Sequence, residues 1–266
     1  MRYSRHASGL LLPDREIRPP GICDILCVNN LAGLGAGSRG DPYWNSVVAA
    51  LHLDGTDAAT TITDSKGAHV WTARGNAQID TAQSKFGGAS LLLDGTGDWI
   101  DTPDHADFNT LLNTDFTIDF WLRINSLAAS GNIFSQFEDD GAPAQYFNAY
   151  VNTSGYLALT QAPGSGVGAD KVFNSGAAMT TNTWYWYRLV RASDVLYAWL
   201  DGATTGSVSY TGTYSTLSSV AAIGADTFSG ASYFNGWLDD YRITKGVARS
   251  SGTGAITVPT AAFFDF

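Results

Sequence analysis

Residues 115–124 (DFTIDFWLRI) alternate strictly. Phe116, Ile118, Phe120, Leu122 and Ile124 fall on one side, and Thr117, Asp119, Trp121 and Arg123 on the other. A period of two over this length predicts an extended strand with one face against a core. Residues 184–191 (WYWYRLVR) and 195–200 (VLYAWL) are rich in aromatic and β-branched residues, with a short polar break at Ala192-Ser193-Asp194. That pattern predicts two antiparallel strands joined by a tight turn. Here apolar and polar side chains mix on both faces: Trp184, Trp186, Arg188 and Val190 alternate with Tyr185, Tyr187, Leu189 and Arg191. Neither face is simply polar, so the hairpin is expected to lie centrally, with protein or ligand on each side.

Shorter apolar runs extend the pattern. Strands are predicted at residues 45–53, 75–80, 90–93, 97–100, 132–137, 146–151, 156–161, 172–173, 207–210, 220–224 and 237–243, punctuated by Asp-Gly, Lys-Gly and Gly-Gly turns. Residues 56–70 read as a polar loop, and residues 104–113 as a loop or a single helical turn. No window carries a helical period. Many short strands with regular turns are the pattern of an all-β, two-sheet antiparallel sandwich. Residues 1–42 differ: four prolines, a DREIR patch, a glycine-rich LAGLGAGSRG run and one apolar stretch, ICDILCV at 22–28. Such a segment cannot bury a core of its own, so it is expected to be an extended arm or tether, with residues 43–266 as the domain. The closing AAFFDF is expected to tuck back onto that domain.

Composition narrows the partners. The net charge of −10 disfavours nucleic acid, which needs a basic footprint, and anionic lipid surfaces. No stretch approaches the ~18 apolar residues of a membrane span, and the MRYSRHASGLLLPD start makes a poor signal peptide. The two cysteines, Cys23 and Cys27, sit in the arm. In an extended segment they would lie about 13 Å apart, beyond disulfide reach, so they are expected to be reduced thiols.

Four stretches, KFGGASLLLDG (85–95), DFTIDFWLR (115–123), WYWYRLVRASDVLYAWLDG (184–202) and GWLDDYRITKGVAR (236–249), resemble the laminin-G-like, concanavalin A-like jelly-roll domain. The version they resemble most is found in tailed-phage structural proteins. The resemblance covers residues 41–266 and implies a virion component, assembled in the host cytoplasm: a capsid decoration or a tail or fibre part. Residues 1–42 would bind other virion proteins, and the sandwich would face outward, oligomeric, holding host-surface glycan. A soluble lectin module is the alternative, with a glycoside hydrolase behind it.

The resemblance also implies a structural Ca²⁺ where the first and last strands meet. The matching positions are Asp54 and Gly55 after the first strand and Asp239 in the closing LDD, with Asp240 as second choice. For carbohydrate, the fold calls for aromatic platforms with Asp, Asn or Gln beside them. Loop positions offer Phe137, Tyr146, Phe147, Tyr233 and Phe234, with Asp139, Asp140, Gln145 and Asn148 as polar partners. The loops at 138–145 and 226–235 are the favoured places. Catalysis is disfavoured. Asp115 and Asp119 share a strand face but stand on the order of 13 Å apart, too far for a retaining pair of carboxylates. His6, His52, His69 and His105 show no zinc-site spacing. Arg242, Lys245 and Arg249 read as a solvated basic face.

Overall fold

The computed structural model describes residues 40–266 except 139–144, 163–172, 175–176, 212–215 and 228–229. The arm, with its cysteines and the 22–28 stretch, lies outside the described residues. Gly40–Phe266 forms one compact unit, whose described residues form sixteen strands, all antiparallel, in two eight-stranded sheets.

The first sheet runs β14 (Ala203–Ser209), β13 (Val195–Leu200), β12 (Trp184–Ala192), β7 (Phe116–Ile124), β16 (Asn235–Lys245), β5 (Ser90–Asp94), β4 (Gln78–Asp80), with β1 (Val47–Leu51) also pairing with β16. The second runs β11 (Phe173–Asn174), β10 (Leu157–Ala162), β9 (Gln145–Val151), β8 (Gly131–Glu138), β15 (Ala221–Ile223), β6 (Trp99–Thr102), β3 (Trp71–Arg74), β2 (Thr61–Ile62). The alternating strand and the hairpin are β7, β12 and β13, paired side by side near the middle of the first sheet. The 56–70 segment is not loop throughout, because Thr61–Ile62 pairs with β3.

The core lies between the sheets. Phe116, Ile118, Phe120, Leu122 and Ile124 all face it, each 2% exposed or less. Phe120 stacks on Tyr241 at 5.1 Å, and Phe116 meets Phe147 of the opposite sheet edge-on at 6.0 Å. Burying a large apolar side chain of this kind contributes roughly 1.5–3 kcal/mol, so this one stripe is a main source of the domain's stability.

β16 makes the closure. One edge pairs with β7 along its length, while the other pairs with β5 over its first half and β1 over its second. Its register shifts between Asp239 and Arg242, and Asp240 has φ 48°. The extra residue turns Asp239 outward and returns Tyr241 to the core.

The outer face of the first sheet is covered by the chain's own tail. Thr117 Oγ1 donates to Val247 O (3.0 Å), Arg188 to Ser250 Oγ (2.9 Å) and Trp199 Nε1 to Gly254 O (2.8 Å). Further on, Ile256 N donates to Gly202 O at 2.8 Å and Phe263 N to Asp240 Oδ2 at 3.0 Å. The last residue, Phe266, accepts from Asp41 N at 2.5 Å. Trp186 and Trp199 are consequently almost fully buried although they point away from the inter-sheet core. This explains why both faces of the hairpin read as apolar in sequence.

The basic face expected at Arg242, Lys245 and Arg249 is corrected here. Arg242 bridges Asp41 (2.8 Å) and Asp119 (2.7 Å), and Arg249 donates to both Asp41 oxygens (2.8 and 2.6 Å). Both guanidinium side chains are under 10% exposed. Burial alone would push the Asp119 carboxyl up; the Arg242 and Arg188 charges outweigh it and hold it below the usual range. Lys245 reaches the Ala106 carbonyl at 2.5 Å. Asp41, placed by sequence in the arm, is thus anchored inside the domain.

Candidate functional site

The outer face of the second sheet carries no such strap among the described residues. A row of paired residues crosses it: Thr160, Asn148, Ser135, Ala222, Asp101 and Thr72, one per strand from β10 to β3. Their chain neighbours Leu159, Phe147, Ala149, Phe134, Ala221, Ile223 and Ile100 fill the core. The pleat therefore turns the polar row outward. Trp99, two residues before Asp101, shares this face.

The β15–β16 connection folds over part of the row. It is closed by an antiparallel bridge between Asp226 and Ala231, and Ser135 Oγ donates to Ala225 O at 2.7 Å. Gly224 permits the close approach: it has φ 105°, and a Cβ there would stand 2.7 Å from Leu93 Cδ1 and 3.2 Å from Trp99 Cα. Beside the connection lies a cleft of about 70 Å³ lined by Trp99, Ala225, Asp226, Thr227, Gly230 and Tyr233. The Trp99 and Tyr233 rings stand 6.0 Å apart at 26°. Trp99 is fixed by its Nε1 donating to Asp101 Oδ2 (2.9 Å), and Arg74 clamps the same carboxylate at 2.8 and 3.0 Å. Tyr233 donates its hydroxyl to Gly230 O at 2.9 Å. Thr227 Oγ1, Asn148 Oδ1 and Asn132 Nδ2 are buried without hydrogen-bond partners. Leaving such atoms unpaired is costly unless something else meets them.

The expected carbohydrate residues divide. Tyr233 lines the cleft. Tyr146 and Asn148 lie half-buried on the outer face of β9, Asn148 paired with Ser135 under the connection. Gln145 opens β9. Asp139 and Asp140 lie outside the described residues. Phe147 is core, and so is Phe234, 2% exposed, with its N–H on Gly224 O; Phe137 is 3% exposed. Phe147 and Phe234 are turned into the core, whereas Phe137 shares the outer face of β8 with Ser135 by register and is buried there, its carbonyl accepting from Ser218 N and Ser219 N. Sequence reasoning missed Trp99 and Asp101, although Trp99 alternates with the buried Ile100.

At the other end of the molecule the expected metal ligands meet around one turn. Asp239 Oδ2 accepts from Lys85 N (2.6 Å) and Phe86 N (3.1 Å), and Asp54 accepts from the Ala89 N–H. Gly87 between them has φ 60°, and the two Asp54 oxygens occupy the space a Cβ would need. The first glycine of the KFGGAS pair is therefore a steric requirement, and Gly88, with φ 96° and open space around it, is needed for its backbone conformation alone. Gly55 packs on Ile79. Asp240 accepts from Phe263 N and pairs with His52 Nδ1 at 2.9 Å. Burial, with the Asp240 and Asp54 charges adding to it, pushes the Asp239 carboxyl up to about 7. Two converging carboxylates with excess negative charge suit a hard cation.

Asp119, one of the two carboxylates weighed for catalysis, is 3% exposed and committed to Arg242 and Arg188 beneath the tail. Asp115 accepts from Ser193 N at 2.7 Å at the mouth of the hairpin.

Two stacked, all-antiparallel sheets closed by β16 define a concanavalin A-like jelly roll. The chain belongs to the concanavalin A-like lectin/glucanases superfamily, whose laminin-G-type model matches residues 94–251. A search of curated protein sequences finds no match. Among solved structures, it is similar to domain 4 of AbnA, a GH43 extracellular arabinanase from Geobacillus stearothermophilus, in complex with arabinotriose. That match has 16% identity, 76% of this chain, 94% of that one and TM-score 0.55. It is also similar to the botulinum neurotoxin serotype C1 binding domain (15% identity, 76% and 49% covered, TM-score 0.56). A third is the binding domain of Paraclostridial Mosquitocidal Protein 1 (15%, 81% and 50%, TM-score 0.57). The chain spans about half the length of the toxin binding domains it matches. At these identities the likeness is one of fold.

Proposed function

We propose that the chain is a non-enzymatic binding domain that takes carbohydrate on the open face of its second sheet, at the cleft between Trp99 and Tyr233. The observation that carries this reading is that cleft. Two partly exposed, nearly parallel rings offer a platform for the apolar face of a sugar, and Asp226 and Thr227 line the same cleft as polar neighbours. The superfamily supports the reading, as does a neighbour solved with arabinotriose. A glycan array tests it: a discrete set of glycans is expected to bind the wild type and to be lost in Trp99→Ala and Tyr233→Ala. A blank array, or binding unchanged by both substitutions, overturns it. No reducing sugar should be released from the glycans retained.

The wider setting follows the resemblance to tailed-phage structural proteins. In this reading residues 1–39 anchor an outward-facing, homo-oligomeric sandwich to a capsid or tail, and the protein resides in the virion. Deleting residues 1–39 should abolish particle incorporation while leaving the Gly40–Phe266 domain folded. Asp54, Asp239 and the Gly55 carbonyl are the proposed donors for a structural Ca²⁺, which would replace the proton that burial favours on Asp239.

A further inference from the structure

Histidines scattered in the sequence meet at the edge of the second sheet. His69 ends the loop between β2 and β3, and His105 and Asp107 lie at the short helix α1 (Ala106–Asn109). His69 Nε2 stands 3.1 Å from Asp107 Oδ2, and His105 Nδ1 stands 3.2 Å from the same oxygen. One donor atom from each of the three residues lies within 4.8 Å of the others. The expectation that the histidines form no metal site is therefore set aside for this pair.

We propose that His69, His105 and Asp107 bind a single zinc ion. The donor set is chemically apt: two neutral imidazoles and a carboxylate suit a borderline divalent ion, and three protein ligands leave a fourth position to water. The distances fit as well. Bonds of about 2.0–2.1 Å to a tetrahedral zinc place ligand atoms roughly 3.3 Å apart, close to the two separations to Asp107 Oδ2. A rotation of His105, whose side chain is 53% exposed, closes the remaining edge.

The electrostatics point the same way. Asp107 N donates to His105 Nδ1 at 3.1 Å, so a metal at that nitrogen takes the place of this capping hydrogen bond. The Asp107 carboxylate, 3.1–3.2 Å from both imidazoles, supplies the negative charge that favours a cation between them. His69 is held ready for it: its side chain is only 5% exposed and its ring packs 4.8 Å from Phe108. The neighbouring cation is Lys245, tied to Ala106 O and close enough to Asp107 to feel its charge. Lys245 competes with a metal for that carboxylate.

The test is calorimetric titration of EDTA-stripped full-length protein with zinc chloride, with cobalt(II) substitution read by visible absorption. The wild type is expected to bind one ion per chain and to give the intense spectrum of tetrahedral cobalt. His105→Ala should weaken zinc binding at least about tenfold and abolish the zinc-induced rise in melting temperature. Lys245→Met should tighten binding a few-fold, which a merely structural role for the cluster would not do. His6→Ala should leave binding unchanged. His69→Ala is a second variant, and His105→Ala keeps the test valid if it fails to fold, since His105 is largely exposed. No stoichiometric zinc in the wild type, or wild-type affinity in His105→Ala, overturns the proposal.

Discussion

The two outer faces of this sandwich have opposite fates. On the first sheet, Trp186, Trp199, Arg188, Arg242 and Asp119 lie under the chain's own tail. On the second, Trp99, Asp101 and Asn148 face outward, and the β15–β16 connection covers them only in part. Both faces carry tryptophan and charge, so residue type alone does not mark a binding surface. What separates them is cover, since buried atoms without partners occur on both sides: Asp119 Oδ2 and Arg188 Nε under the tail, Thr227 Oγ1 and Asn148 Oδ1 beside the connection. The tail and the Asp41 ion pairs close over the first face, and no such strap crosses the second among the described residues.

The contrast can be broken most severely at Arg242. Arg242→Ala strips Asp119 and Asp41 of a buried partner, and a loss of about 3–5 kcal/mol is expected in urea denaturation. A loss below about 1 kcal/mol would mean the tail does not seal that face. Next, Gly87→Ala should cost about 1–3 kcal/mol through the positive φ and the collision with Asp54. Adding Asp54→Ala should restore part of that loss, as a double-mutant cycle would show. On the open face, Trp99→Ala should lower affinity for an array-positive glycan at least tenfold, about 1.4 kcal/mol, while the far-UV spectrum stays unchanged.

The smallest effect concerns the tail's end. Burial pulls His52 down, but its contacts with Asp240 and Asp265 outweigh this and raise it to about 9. A raised histidine stabilises fully below its unfolded value near 6.5, and that contribution fades as pH climbs through about 9. Melting temperature should thus decline over this window in the wild type and decline less in His52→Ala.

Much of the fold was legible because its signal is local. Residues 115–124 alternate without a break, and the hairpin carries its own turn, so β7, β12 and β13 follow from adjacent residues. β2 and β3 were missed because two and four residues are too short to show a period. The tail's path was not readable either: it is held by backbone carbonyls and by ion pairs such as Arg249–Asp41, whose partners lie far apart in sequence. Arg242 looked solvated because an arginine is exposed by default. Of the site, Tyr233 and Asn148 were within reach as polar-loop and strand-end positions. Phe234 was misjudged because one step along a pleat separates a cleft residue from a core residue.

The bond between Asp41 and Phe266 holds the two ends of the Gly40–Phe266 body side by side. A fluorescent reporter or affinity handle placed directly after Phe266 would crowd that junction and prise at the His52–Asp265 contact. Spliced instead into the β9–β10 turn near Ser154, it would leave the Asp41–Phe266 bond undisturbed.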